Sequence, residues 1–284
     1  MRSRTEPARP RDVVRVLAIS DVTDQLLLAD LRPVASAQLI LACGDLPFDY
    51  LGYLLNALDV PLVFVPGNHD PDLSGYRTSR AGLTMRSGLP ARAPWPPGAV
   101  NADGRVVDVA GLRVAGLGGC LRYSGGPNQY TDRQQAGRAR ALRATACWRR
   151  LQDGHGVDVL LTHAPPLGVG DGADPAHRGF SAYRGLIAAL QPAVLLHGHV
   201  HPVVPVPSRG QVSSHQANIQ GALMGRTVVR NVAGRHLLDI ELPGPADPSG
   251  PPAHPSGPPA DPTSLPAEPS GPLAGPRGGD RDAG

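Results

Sequence analysis

Five short stretches carry side chains of metal-ligand type at spacings that could serve one reaction centre. The sharpest is HGHVH at 197–201. In an extended segment His199 and His201 point to the same side, so both imidazoles can reach a common point. GNHD at 67–70 offers an amide oxygen, an imidazole and a carboxylate in succession. Asn68 can ligate through its carbonyl oxygen. An imidazole is the side-chain type best suited to proton transfer, so His69 can pass a proton, and Asp70 can orient that ring. CGD at 43–45 puts Asp45 behind a glycine that permits close backbone approach. THAPP at 162–166 presents His163 ahead of two stiffening prolines, and SDVTD at 20–24 supplies Asp21. Each stretch alone also suits an ordinary polar turn. Five of them, each carrying a ligand-type residue at the end of an apolar run, are not explained that way.

The elements that would position these residues are legible. Short runs rich in Val and Leu precede each stretch: 13–20, 37–43, 61–66, 157–162 and 193–197. They are too short for helices and read as strands. Helical stretches separate them at about 48–58, 133–152 and 181–190. GRVVDVAGLRVAGLGG (104–119) reads as a hairpin turning near Ala110-Gly111, and 227–242 reads as another strand pair. The pattern is α/β with added antiparallel strands. In open α/β sheets ligands bind beyond the carboxyl ends of the strands, which is where the five stretches fall.

Composition narrows the rest. From Pro243 to the end, 13 of 42 residues are proline and 8 are glycine, too few apolar groups to offset ordering entropy. We therefore expect a flexible segment at 1–12, one folded domain at 13–242 and a disordered tail at 243–284. No window approaches a membrane span. The charged N-terminus lacks a following signal-type segment, so a cytoplasmic protein is expected. Cys43, Cys120 and Cys147 are few and far apart, against a disulfide framework or a thiolate zinc site. All 27 basic residues are arginine, which excludes lysine Schiff-base chemistry and a P-loop lysine. No basic stripe with interleaved aromatics marks a nucleic-acid partner.

Oxygen and nitrogen ligands without thiolate suit Mn, Fe, Zn or Ni. More than four of them point to two divalent ions rather than one. Two ions about 3.5–4 Å apart, sharing a carboxylate, are a recurrent device for attack on phosphorus.

In this order and with these spacings, Asp21, GD at 44–45, GNHD at 67–70, TH at 162–163 and GHVH at 198–201 resemble the calcineurin-like metallophosphoesterase family. The resemblance implies a four-layer α-β-β-α sandwich, with two facing mixed β-sheets flanked by helices. It implies hydrolysis of a phosphomonoester or phosphodiester, nucleotide-like substrates included, by a hydroxide bridging two metal ions. Carried over position by position, Asp45 bridges both metals, Asp21 and His201 bind the first, and Asn68, His163 and His199 bind the second. His69 is then the general acid or charge stabiliser, oriented by Asp70. The departure is the opening motif, where the family has Asp-x-His and this chain has Asp21-Val22-Thr23. Asp24 can replace the imidazole, Thr23 Oγ or a water can fill its place, or only the second metal is tightly held. A threonine hydroxyl is a poor ligand for Zn or Mn, so Asp24 or water is preferred. Asp24 also reads as a helix cap ahead of QLLLADL.

Two further stretches, 116–134 and 174–192, resemble a bacterial branch of the family. The first carries Arg122, Tyr123, Asn128 and Tyr130 on a glycine-rich loop that could cover the metals, with Arg122 gripping a phosphate oxygen. The second carries His177 as a substrate-side residue and Arg178 as a solvated one. Cys43 and Cys120 read as small buried residues. The expected partner is a small phosphate ester, with neither a membrane nor nucleic acid. A mononuclear or catalytically weak binding protein is the alternative, and a nuclease ranks below it.

Overall fold

The computed structural model describes residues 13–78, 83–201 and 221–242. The expected flexible N-terminus and disordered tail lie outside the described residues. The strands are Val13–Ser20 (β1), Leu39–Ala42 (β2), Leu62–Phe64 (β3), Tyr76–Thr78 (β4), Thr84–Arg86 (β5), Leu89–Pro90 (β6), Val100–Asn101 (β7), Val106–Val109 (β8), Leu112–Leu117 (β9), Cys120–Leu121 (β10), Gln129–Tyr130 (β11), Val159–Thr162 (β12), Val194–His197 (β13), Ala222–Met224 (β14), Thr227–Asn231 (β15) and Gly234–Glu241 (β16). The α-helices are Gln25–Ala29 (α1), Phe48–Leu58 (α2), Asp132–Asp153 (α3) and Ala182–Leu190 (α4).

Two mixed sheets dominate. The first has the order β16-β1-β2-β3-β7, parallel except for β16, which runs antiparallel to β1. The second has the order β14-β15-β13-β12-β9-β8, with antiparallel strands at both edges. Alternation along the strands sorts the core into three layers. Val14, Val16 and Ala18 of β1 share one cluster with Val114, Val159, Leu161 and Leu196 of the second sheet, so these residues fill the space between the sheets. Leu17 and Ile19 face the other way, against Leu27 of α1 and Tyr50, Leu51 and Leu54 of α2. Ala115, Leu160 and Leu195 of the second sheet meet Ala139 and Leu142 of α3 and Tyr183, Leu186 and Ile187 of α4. The chain is thus the expected four-layer α-β-β-α sandwich. Each fully buried Leu or Val contributes about 1.5–3 kcal/mol relative to exposure, and the central strands, buried on both faces, are largely apolar, as covered parallel sheets require.

Local signals set the helix ends. Thr131 and Gln134 form a capping box at the start of α3, and Gly154, left-handed at φ 76°, ends it. The β8–β9 hairpin turns at Ala110 and Gly111, both at positive φ. The C-terminal strands differ from the sequence reading: β15 and β16 do not pair with each other but join different sheets. The short link between them carries the chain across the sandwich, because β16 finds its apolar partners beside β1. Among the described residues, no helix is long and apolar enough to cross a membrane.

Candidate metal centre

The five stretches follow five strands of the two main sheets. Asp21, Asp45 and Asn68 follow β1, β2 and β3 of the first sheet, and His163 and His199 follow β12 and β13 of the second. Asp21, Asp45 and His199 have φ of 62°, 57° and 66°, a left-handed conformation costly to any side chain with a Cβ. Each marks a sharp turn of the chain at a strand end.

Four acceptor atoms converge on one point. His163 Nε2 lies 3.0 Å from Asn68 Oδ1, 3.2 Å from His199 Nδ1 and 3.3 Å from Asp45 Oδ2. The ligand atoms of Asp45, His163 and His199 all lie within 4.8 Å of one another. The outer nitrogen of each ring faces a backbone carbonyl: His163 Nδ1 is 2.7 Å from Cys43 O, and His199 Nε2 is 2.7 Å from Ala176 O. A carbonyl can only accept, so each outer nitrogen carries a hydrogen, and in the neutral ring the inner one presents a lone pair. An amide oxygen, a carboxylate and two imidazole lone pairs around one point form an electron-rich set that only a cation satisfies, and its N/O composition fits a divalent transition metal.

The electrostatics distinguish the two rings. Burial would raise the Asp45 carboxyl, but His163, by hydrogen bond and charge, and the His69 amide hold it below its usual range. Burial would lower the His163 imidazole, and Asp45 instead raises it. The His199 ring is pushed down to about 4, by burial first and by His163 second, so it is neutral at physiological pH. His197 is likewise pushed down to about 4 by burial, and its Nδ1 sits 3.0 Å from the Gly198 carbonyl, so it is a core histidine.

The motif glycines are steric requirements. A Cβ on Gly67 would collide with the Asp45 carboxylate and with His163 Cε1, and one on Gly198 with Ser20 Oγ and the Asp21 carboxylate.

The other half of the expected centre is looser. The Asp21 side chain is only 2 % exposed and accepts from the His199 amide at 3.0–3.1 Å. The His201 side chain is 59 % exposed, with Nε2 at 3.9 Å from Asp21 Oδ1. Asp24 is turned elsewhere: its carboxylate caps α1 through the Leu26 amide at 2.9 Å and faces Arg235 Nη1 at 3.2 Å. The preferred protein replacement for the missing imidazole is thereby removed, because that carboxylate already satisfies a helix end and a guanidinium. Thr23 is half-buried beside it.

Several expected partners have other work. Asp70 is buried, and its Oδ2 accepts from the Gly67 and Asp45 amides at 2.7 and 2.9 Å. Among the described residues it does not bond the His69 ring; it ties the two ligand loops together. Burial raises its carboxyl, an effect the two amides only partly offset. His69 is exposed, and its amide donates to Asp45 Oδ1 at 2.8 Å. Asn128, expected on the substrate side, donates its amide to Gly67 O, Asp70 O and Pro71 O at 2.8, 3.1 and 3.3 Å, and so clamps the GNHD loop. Arg122 Nη2 reaches Gln129 O and Gln134 Oε1, both at 3.5 Å. The exposed Tyr123 places its hydroxyl 3.2 Å from Asn68 Nδ2, which directs Asn68 Oδ1 to the centre. The Tyr130 ring lies under the Arg138 guanidinium at 4.1 Å. The His177 ring packs against that of His199, tilted by 44° with centroids 5.2 Å apart. Cys43 and Cys120 are buried and burial raises both thiols, Cys120 to about 12, so neither offers a thiolate.

Sequence reasoning missed Gln129, Asp174 and Ala176. The Gln129 Oε1 accepts from the amides of Tyr123, Ser124 and Gly125 at 3.0–3.2 Å and shapes the loop beside the centre. The relevant group of Ala176 is a carbonyl, which no side-chain pattern announces.

A model of the calcineurin-like phosphoesterase family matches residues 14–203. No curated protein matches the chain. One solved structure aligns over 82% of this chain and 100% of its own at a TM-score of 0.50 and 16% identity, a likeness of fold alone. TT1561 of Thermus thermophilus aligns over the same shares, 82% and 100%, at 0.48 and 17%. The calcineurin-like phosphoesterase YfkN from Bacillus subtilis aligns over 82% of this chain and 92% of its own at 0.35 and 13%.

Proposed function

The chain belongs to the calcineurin-like phosphoesterase family, and from that footing we propose that it hydrolyses a small phosphate ester with the help of bound divalent metal. The observation that carries this is the convergence of Asn68 Oδ1, His199 Nδ1 and Asp45 Oδ2 on His163 Nε2, at 3.0–3.3 Å. We assign Asp45, Asn68, His163 and His199 to one ion, and Asp21, Asp45 and His201 to a second. Divalent ions in such a centre supply Lewis-acid stabilisation of phosphoryl oxygens and acidify water. Mn, Fe, Zn and Ni all suit these ligands.

The chain's own residues would do the rest. The Cys43 and Ala176 carbonyls orient two imidazoles, each with its inner nitrogen toward the ion. Asp70 and Asn128 fix the GNHD loop, and Tyr123 orients Asn68. His69, exposed beside Asn68, is the group we assign to proton transfer at the leaving oxygen. Tyr123 and His177 are the substrate-side residues we retain; Arg122 would join them on leaving Gln129 and Gln134.

The variants Asp45→Asn and His199→Ala test the reading. Each should lower hydrolysis of a nitrophenyl phosphodiester by at least about 100-fold with the circular dichroism unchanged, since loss of mere supporting partners already costs 10–100-fold. Turnover like that of the wild type in both variants would overturn it. Screening Mn, Ni, Zn and Mg against mono-, di- and cyclic nucleotide phosphates then assigns the substrate class.

A second reading has its own observation. The exposed His201 at 3.9 Å from Asp21, together with the Asp24 cap, favours a single tightly held ion at Asn68, His163, His199 and Asp45. The protein would then be a mononuclear, catalytically weak phosphoesterase or binding protein. Metal analysis of the purified chain separates the two: one ion per chain favours it, two ions favour the dinuclear hydrolase.

A further inference from the structure

The two imidazoles of the centre are pinned by unlike means. His163 rests on the carbonyl of Cys43, a fully buried residue immediately after β2. His199 rests on the carbonyl of Ala176, in a loop between β12 and α4. That loop has little apolar packing near residue 176, where residues 173–175 are exposed. Two carboxylates shape it: Asp171 accepts from the Gly168 and Gly179 amides at 2.9 and 3.1 Å and ties the ends of the loop, and Asp174 orders its middle. The Asp174 carboxylate accepts from the Ala176 amide at 3.1 Å, from the His177 amide at 3.2 Å and from His177 Nδ1 at 2.9–3.0 Å. The turn closes with the Gly172 amide on the His177 carbonyl at 2.9 Å. Asp174 thus orders the peptide whose carbonyl meets His199 Nε2 and also the ring that packs, tilted, against His199.

We propose that Asp174 is a positioning residue for the metal centre: it holds the Ala176 carbonyl and the His177 ring against His199, which fixes His199 with Nε2 protonated and Nδ1 turned toward Asp45 and His163. This rests on the assignment of His199 as a ligand made above. An imidazole freed from that carbonyl exchanges between tautomers and ring orientations, and only one of these presents a lone pair to the centre. Outer partners of this kind are worth 10–100-fold in metal affinity. Because His163 is anchored in the core and His199 in a loop, the loop is the adjustable half of the pair.

The experiment uses the full chain with two readouts: the His199 tautomer by long-range 1H–15N NMR without added metal, and Mn affinity by titration calorimetry. The wild type should show His199 protonated at Nε2. Asp174→Ala should give mixed tautomers and a Mn dissociation constant raised about 10–100-fold. Asp174→Asn keeps an oxygen able to accept from the two amides, so it should lie between them; it also decides the matter if the alanine variant fails to fold. A wild-type tautomer and wild-type Mn affinity in the folded variants would overturn the proposal. A wild type that binds no metal would overturn the ligand assignment instead, while the tautomer still reports on Asp174.

Discussion

At the scale of single residues, the centre depends as much on what is missing from a side chain as on what is present. Gly67 has no Cβ because the Asp45 carboxylate and the His163 ring occupy that space. Gly67→Ala should therefore displace a proposed ligand without deleting one. We expect metal stoichiometry to fall below that of the wild type and the urea midpoint to drop by the equivalent of about 1–3 kcal/mol, the usual range for overpacking; mass spectrometry of the intact holoprotein and urea unfolding check both. Residue types in the motifs were legible from sequence, but the direction of a carboxylate was not. Asp24 turns to Arg235, far away in the chain, and Asp70 turns inward to two amides rather than to the adjacent His69. Such choices are made by tertiary partners, and local spacing carries no record of them.

At the scale of elements, strands and helices read well because each is amphipathic or largely apolar and ends in a specific cap or turn. The helix read at 48–58 forms at Phe48–Leu58, and that read at 133–152 forms at Asp132–Asp153 with its capping box. Replacing the cap, Thr131→Ala, should cost about 1 kcal/mol by chemical denaturation and leave the metal ligands untouched. Less legible were the connections. The short strands β4, β5 and β6 pair only with one another among the described residues, so their pattern resembles a loop. The β15–β16 segment looks like a hairpin from its spacing, because sequence records that two strands are near in the chain but not which sheet each one completes. The loop of residues 163–181 gave up His177 to a residue-type search and hid the Ala176 carbonyl.

At the scale of the whole molecule, the second sheet is locked to α3 by a charged cluster at the end opposite the metal centre. The buried Arg113 guanidinium bonds Asp108 at 2.8 Å and Asp153 at 2.7 Å, and Arg113 holds both carboxyls below the usual range. A carboxyl whose folded pKa lies below its unfolded value of about 3.9 stabilises the fold above that pH and loses its contribution as pH falls through the lowered value. Asp153→Asn should therefore be less stable than the wild type at pH 7, and the gap should narrow below about pH 4. Urea midpoints at neutral and at acid pH measure it, and a gap independent of pH would contradict the assignment.

The division of the proposed ligands between two sheets has a mechanical side. Asp45 and Asn68 hang from one sheet, His163 and His199 from the other, so an ion held by all four is a rivet through the sandwich. Ion retention then gauges how well the two sheets are pressed together. Leu41→Ala, in β2 and short of the Asp45 loop, hollows the layer between them at a cost of about 2–5 kcal/mol. If the rivet is real, that variant should release its ion to a chelator faster than the wild type, and saturating metal should restore part of its thermal stability. A variant as tenacious of its ion as the wild type would show two sheets that hold their spacing without it.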